Sequence, residues 1–543
     1  MPDRAQVIAE LTAPGARFES MVEDVRGVPM RVFKQRHRCL VEILEASLAF
    51  GDREYLVTSE ERIGFAEHHR RAAALAAALR EEYGVGAGDR VALCAANRTE
   101  WIIAFWATVS LGAVTVGMNS MWAAPEIGHG VELTTPKVIV TDPTRLPLVR
   151  EALGPDSAVG VILLDPVLDE PSVDPSGTAS YAGLLSRYAG AKLEPTYVDE
   201  DEPAVILFTS GTTGRPKGAT HSHRNMIAAL WFHLWNDALA EAFGRTTSGR
   251  RFLLATPLFH IAALHNLSVI RMAVGDTAVL HLGRFDIDRV LALVEKERVT
   301  NWGAVPTMLT RLLDADLSSY DLSSLRTVSV NSAPSSSSLK ERIRSALPAA
   351  AASLSTSYGL TESTTAATIA TGPELLADPD TVGRPTPNME VRIVDDEVQL
   401  RGPQVMLGYY NDEAATAAAF TDDGWFRTGD LGVMRDGALS LLSRRSDLIL
   451  RGAENVYPAE VEDALDAHPD VVECIVAGMP DEEYGQIVAA TVVVRGDVTA
   501  EELRDFLLAR LARYKVPAKW FFVPGPLRRN ATGKVVRQQI AWE

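Results

Sequence analysis

Cysteine is nearly absent: three residues in 543, Cys39, Cys94 and Cys474, with no CxxC pair and no histidine-rich spacing around them. That excludes a disulfide framework and argues against a structural zinc site, and it fits a reducing, cytoplasmic setting. Positive charge is also short, with 53 Lys and Arg against 71 Asp and Glu for a net charge of −18. No overall basic field exists to attract phosphates, so nucleic acid is not an expected partner. The stretch MPDRAQVIAELTAPG is charged and lacks an apolar centre, so it is not expected to act as a signal peptide. One uncharged run, Trp101 to Pro125, has the length of a membrane span. Thr99 and Glu100 read as a helix start, Gly112 as a stop and Ala113–Val116 as a strand, so a buried helix and strand are expected and no transmembrane segment. Internal repeats are missing as well.

What remains is the make-up of a globular enzyme, with 47% apolar and 23% charged residues. The length exceeds a single core. Short apolar runs alternate with helical patterns from residue 65 to about 370, as in Ala66–Tyr83 (helix), Arg90–Ala95 (strand), Thr277–Leu282 (strand) and Asp286–Arg298 (helix). Such alternation predicts mostly parallel sheets covered by helices. From Val382 to Leu442 the texture changes to short strands and turns such as Asp422-Asp-Gly, which predicts an antiparallel, barrel-like part. The last hundred residues alternate again as a compact module. The expected fold class is mixed α/β: a large domain, residues 1–443, of two βα-type sheets and a distorted β-barrel, a hinge at 444–447, and a small mobile α+β domain, 448–543. Between Asp505 and Glu543 there are eight basic residues and no acidic one, a solvated face or a local attraction for anions.

The most informative residues are Thr209-Ser-Gly-Thr-Thr-Gly-Arg-Pro-Lys-Gly218, which follow the apolar run Ala204–Phe208. A helical pattern begins at about Asn225, so the segment is expected at a strand-to-helix turn. Gly211 and Gly214 let backbone N–H groups approach oxygens, the hydroxyls of Thr209, Ser210, Thr212 and Thr213 donate, and Lys217 supplies charge, a combination suited to polyphosphate. It is not a Walker A loop, because two residues rather than four separate the glycines and Gly218 follows the lysine.

This segment resembles the phosphate loop of the adenylate-forming superfamily: acyl- and aryl-CoA synthetases, luciferases and peptide-synthetase adenylation domains. Four more of its motifs follow in order, so the resemblance covers nearly the whole chain. Ser357-Tyr-Gly-Leu-Thr-Glu362 is similar to the second, with Tyr358 beside Gly359 as an adenine-stacking aromatic, Thr361 for the α-phosphate, and Glu362 with Thr209 for Mg²⁺. Trp425–Asp430 resembles the third and implies that Asp430 accepts the ribose hydroxyls, assisted by Arg444. Arg451–Glu460 resembles the fourth, the path of the CoA pantetheine, with Gly452 present but Ala453 where a second glycine is usual. Pro526–Lys534 resembles the fifth and puts the family's catalytic lysine at Lys534, with Thr209 and Glu362 as its catalytic partners. Ser446 departs from the usual Asp or Lys of the hinge, and the loop Val394–Val398 is shorter than common, a trimmed hairpin.

The resemblance places the acid beside His260 and Leu264, with Asn331, Ser332, Ala333 and the Trp231–Trp235 cluster as further walls. No fixed cation lies in these stretches, so a hydrophobic acid is expected. The implied activity is ATP- and Mg²⁺-dependent activation of a fatty or similar acid to acyl-AMP, then thioester formation with CoA. Transfer to an acyl carrier protein, and an aryl- or steroid-acid CoA ligase, stay open as alternatives, as does a homodimer.

Overall fold

The computed structural model describes residues 3–209, 215–330, 335–451, 454–481, 484–529, 535 and 537. Among these the chain builds an eight-stranded sheet, a thirteen-stranded sheet, a five-stranded sheet and a two-stranded hairpin. The eight-stranded sheet has a parallel centre in which Arg90–Cys94 lies between Val114–Gly117 and Val138–Thr141. Its two outermost strands, Gly408–Tyr409 and Ala179–Ser180, are each only two residues long. Both faces of the centre are covered, so its strands read as continuous apolar runs without alternation.

The uncharged run resolves into the helix Thr99–Ser110 and the strand Val114–Gly117, with Trp101, Phe105 and Trp106 at most 1% exposed. No helix among the described residues is long and apolar enough to cross a membrane. The long helices expected from periodicity appear within one or two residues of their expected bounds, Phe65–Tyr83 and Ile287–Lys296.

The thirteen-stranded sheet joins the two textures of the sequence. Its parallel half ends at Ser355–Tyr358, and Thr368–Ala370 pairs antiparallel with that strand. From there Thr381–Pro385, Ala438–Arg444 and Phe426–Arg435 continue as an antiparallel array. The short loop is a two-residue hairpin turn: Asp395 and Asp396 have φ of 49° and 63° between the paired strands Glu390–Val394 and Glu397–Arg401. Positive φ at both positions matches the twist of the flanking strands. The five-stranded sheet starts with Ile449–Arg451 and carries the helices Pro458–Asp466 and Ala500–Leu508.

One expectation fails. The phosphate-loop segment does not lead from strand to helix. Lys217–Ser222 forms an antiparallel strand against Pro203–Thr209, with Thr209 opposite Lys217, and only then does the helix His223–Ala242 begin. The run Lys-Gly-Ala-Thr-His-Ser has no apolar alternation, because burial from Gly218 onward, and pairing on both edges at Ala219 and Thr220, hold it in place of an amphipathic pattern.

Burial also holds imidazoles neutral, His233 among them, its titration pushed well below the ordinary range by desolvation. Desolvation pushes His68 and His221 down to about 3, and His223 and His265 down to about 4. A depressed imidazole contributes stability above its ordinary 6.5 that is lost as pH falls through the folded value. His68 is the plainest case, packed edge-on to Tyr55 at 5.0 Å between ring centres, with neither ring nitrogen hydrogen-bonded among the described residues. His68→Met should change stability at pH 8 by less than ~1.5 kcal/mol, as a near volume-conserving swap does. Thermal melts between pH 6.5 and 4 should then fall less steeply than in the wild type, and an unchanged slope would remove His68 as a source of acid lability.

Candidate active site

Three separated motifs converge where the parallel and antiparallel halves of the large sheet meet. Tyr358 ends the last parallel strand and is 7% exposed. Its hydroxyl donates to Asp430 Oδ2 at 2.7 Å, while Arg444 Nε meets Asp430 Oδ1 at 3.1 Å. Asp430 and Arg444 are themselves paired across the strands Phe426–Arg435 and Ala438–Arg444. The second and third motifs and the first residue of the expected hinge are thus one hydrogen-bonded unit. Burial and the Asp430 carboxylate hold the Tyr358 hydroxyl protonated, its titration raised well above the ordinary tyrosine range.

Gly359 follows, and its backbone is pressed against the next loop. A Cβ there would lie 1.9 Å from the Thr365 carbonyl oxygen, so no other residue fits without moving that loop. The tight approach turns the chain into the single 3₁₀ turn Thr361–Ser363, which presents Thr361 and Glu362.

Glu362 is held from two directions. Its backbone carbonyl accepts from Met406 N at 2.8 Å, and its Oε1 accepts from the Tyr409 hydroxyl at 2.9 Å. Desolvation raises its carboxyl above the ordinary range, opposed by the Tyr409 hydrogen bond and the positive charge of Arg444. Tyr409 also lies under Lys217, whose ammonium is 5.0 Å from the ring centre. Backbone pairing fixes this contact: Tyr409 is registered with Ala219, and Tyr410 N donates to the Gly218 carbonyl at 2.7 Å. The sequence reading missed Tyr409. Its only signal was an aromatic pair, Tyr409-Tyr410, after the Arg401-Gly-Pro403 turn.

A Mg²⁺ ion fits this carboxylate. Glu362 takes one protein side-chain donor, the Tyr409 hydroxyl on Oε1, and Mg²⁺ is commonly held by one or two carboxylates, substrate phosphates and water. No group of three or more His, Cys, Asp or Glu among the described residues forms an all-protein metal cage. Thr209, expected beside it, ends its strand opposite Lys217.

His260 caps the short helix Ile261–Leu264, next to Phe259, and Leu264 ends that helix fully buried in the main core. The helix continues as a π-helical turn, His265–Ile270. Ser210, Gly211, Thr212, Thr213, Gly214, Asn331, Ser332, Ala333, Gly452, Ala453 and Lys534 lie outside the described residues.

A model of the AMP-binding enzyme family matches residues 44–410, and one of the AMP-binding enzyme C-terminal domain matches 460–534. The chain belongs to the AMP-binding enzymes. It is 35% identical to a 2-succinylbenzoate–CoA ligase of Bacillus velezensis over 90% of this chain and 95% of that one. It is 32% identical to the long-chain-fatty-acid–CoA ligase FadD13 of Mycobacterium tuberculosis, over 84% and 88%. Among solved structures, the O-succinylbenzoate coenzyme A synthetase MenE of Bacillus subtilis, in complex with ATP and magnesium ion, superposes with a TM-score of 0.74 at 31% identity, covering 92% of this chain and 98% of that one. This AMP-binding enzyme is therefore an AMP-forming acid–thiol ligase, with ATP, Mg²⁺ and CoA as its cofactor and co-substrates.

The Tyr409–Glu362 bond gives a test. Tyr409→Phe removes a donor that holds the Glu362 carboxyl down, so the acid limb of pyrophosphate release should move to higher pH. The plateau should drop by no more than roughly 150-fold, the upper worth of one hydrogen bond to a charged group. An unmoved acid limb would mean that ionisation of Glu362 does not control the rate.

Proposed function

We propose that this ligase activates an apolar-bodied carboxylic acid, either fatty or aryl-bearing, and passes the acyl group to CoA. The observation that carries the reading is the apolar character of the expected acyl wall. Leu264 is buried among core side chains, and its neighbours Ile261 and Ala263 are apolar and buried. The relatives divide on the acid: one is named for 2-succinylbenzoate and another for long-chain fatty acids, so both classes belong to the proposal.

In the first half-reaction the acid's carboxylate attacks the α-phosphorus of ATP and pyrophosphate leaves. Tyr358 offers its ring to the adenine, Asp430 and Arg444 hold the ribose, and Thr361 donates to the α-phosphate. Lys217 and the hydroxyls and glycines at 209–214 hold the departing phosphates. Glu362 and Thr209 would hold Mg²⁺, which would supply charge neutralisation for the phosphates. Lys534 would bridge the attacking carboxylate and the α-phosphate, offsetting their mutual repulsion. In the second half-reaction the CoA thiol reaches the acyl carbon along Gly452 and Ala453, and AMP leaves. Between the two, the C-terminal domain turns about residues 444–447.

A panel of carboxylic acids, assayed for pyrophosphate release with and without CoA, tests the reading. Apolar acids should turn over, and CoA should raise the steady rate; release that is indifferent to CoA and responds to a carrier protein would overturn CoA as acceptor. Lys534→Ala should lower adenylation by at least ~100-fold, typical of one lost charge-stabilising group. Thioester formation from pre-made acyl-AMP should persist, and equal loss of both halves would end the two-position model. Leu264→Trp should cost long or polycyclic acids about 5- to 150-fold in specificity and short acids least, at constant KM for ATP. A uniform drop across all acids would mean that Leu264 serves only the core.

A further inference from the structure

Away from the nucleotide motifs, a cavity of about 380 Å³ opens between the N-terminal helix Arg4–Thr12, the strand Val28–Phe33, the helix His223–Ala242 and the segment following Thr381–Pro385. That volume lies within the range of small-molecule sites. Its floor is apolar, made of Ile8, Phe33, Phe232, Trp235 and Ile369. Its rim is charged, with Arg4, Arg31 and Arg384 facing a single carboxylate, Glu374.

The charges on this rim do not cancel. Arg4 and Arg384 approach the same oxygen of Glu374, each at 3.6 Å, longer than a hydrogen bond. The exposed Arg31 guanidinium makes no ion pair or hydrogen bond among the described residues. Two guanidiniums are therefore in excess in a chain whose net charge is −18. Two lining side chains add unused donors. The Trp235 indole N–H and Asn388 Nδ2 are buried and find no acceptor among the described residues, although Asn388 Oδ1 accepts from Ser20 Oγ at 2.9 Å. Unmet donors and surplus cations above an aromatic floor call for a ligand with one anionic, acceptor-rich head and an apolar body.

We propose that this cavity is a second acid site, separate from the adenylation site, which binds the carboxylate of an amphipathic acid on Arg31 and Arg384 and its apolar body between Ile8, Ile369 and Trp235; the Trp235 end of the cluster expected to wall the acyl pocket lines this cavity instead. No residue of the nucleotide motifs lines it. An occupant would tie the N-terminal helix to the long helix and to the strand Thr368–Ala370, whose Ile369 pairs with Ser357 of the second motif.

Equilibrium dialysis of labelled decanoate without ATP or CoA tests this, with decanol and decyltrimethylammonium as controls. The wild type should bind decanoate at least ~10-fold more tightly than either control, the usual worth of a charge-assisted hydrogen bond. Arg31→Gln combined with Arg384→Gln should weaken decanoate by ~10-fold or more, and Ile8→Glu, which puts a carboxylate on the floor, should do so independently. Pyrophosphate release by the double variant should keep its kcat and its KM for acid within about twofold, because neither arginine belongs to the adenylation machinery proposed above. Decanoate affinity indifferent to both changes would overturn the site. A parallel rise in the KM for acid would overturn its separateness, making the cavity part of the acyl pocket. Neither result bears on whether the acid panel releases pyrophosphate.

Discussion

The carboxylate of Asp430 is the point on which the proposed nucleotide site closes. One oxygen takes the Tyr358 hydroxyl from the last parallel strand, and the other faces Arg444 at the end of the strand before the C-terminal module. Asp430 and Arg444 face each other on successive strands, Tyr358 lies 72 residues before Asp430, and the sheet brings them together by changing from parallel to antiparallel pairing at Thr368–Ala370. A buried carboxylate with both oxygens engaged is costly to leave unpaired. Loss of either partner should therefore disturb the Tyr358–Asp430–Arg444 unit as a whole, beyond the single contact removed.

A second closure depends on register. Lys217 stands over Tyr409, and Tyr409 donates to Glu362, only because the strand Gly408–Tyr409 is registered against Lys217–Ser222. Lys217 and Glu362 could be picked out of the sequence by residue type, as a lysine in a glycine-rich loop and a carboxylate after Tyr-Gly-Leu-Thr, and the roles proposed for them rest on that resemblance. Tyr409 was not, because its role comes from which backbone lies beside which, and pairing across the Lys217–Ser222 strand leaves no trace in local periodicity. The same blindness turned the expected strand-to-helix turn into a hairpin. By contrast, the amphipathic helix Ile287–Lys296 and the strand Arg90–Cys94 were readable nearly to their ends, because their patterns or apolar runs are local.

The acid side was the least legible. Leu264, Ile261 and the π-helical turn His265–Ile270 sit in the same apolar cluster as the helix His223–Ala242. Whether such a side chain walls a cavity or fills a core depends on the volumes of a dozen neighbours, which composition does not encode. The surplus arginines of the N-terminal cavity were invisible for a related reason: Arg384 is hundreds of residues from Arg4 and Arg31 and meets them only in the folded chain.

The eight-stranded sheet ends on each side in a strand of two residues, Gly408–Tyr409 and Ala179–Ser180. An exposed strand edge is a template for another chain, and a template this short offers room for no more than a pair of ladder hydrogen bonds. The apolar parallel strands at the centre, Val138–Thr141 and Val114–Gly117 among them, are the segments most prone to cross-chain stacking if uncovered. The brief edges thus act as insulation. They shield an aggregation-prone interior and leave the edge where Tyr409 meets Lys217 too short to recruit a foreign strand.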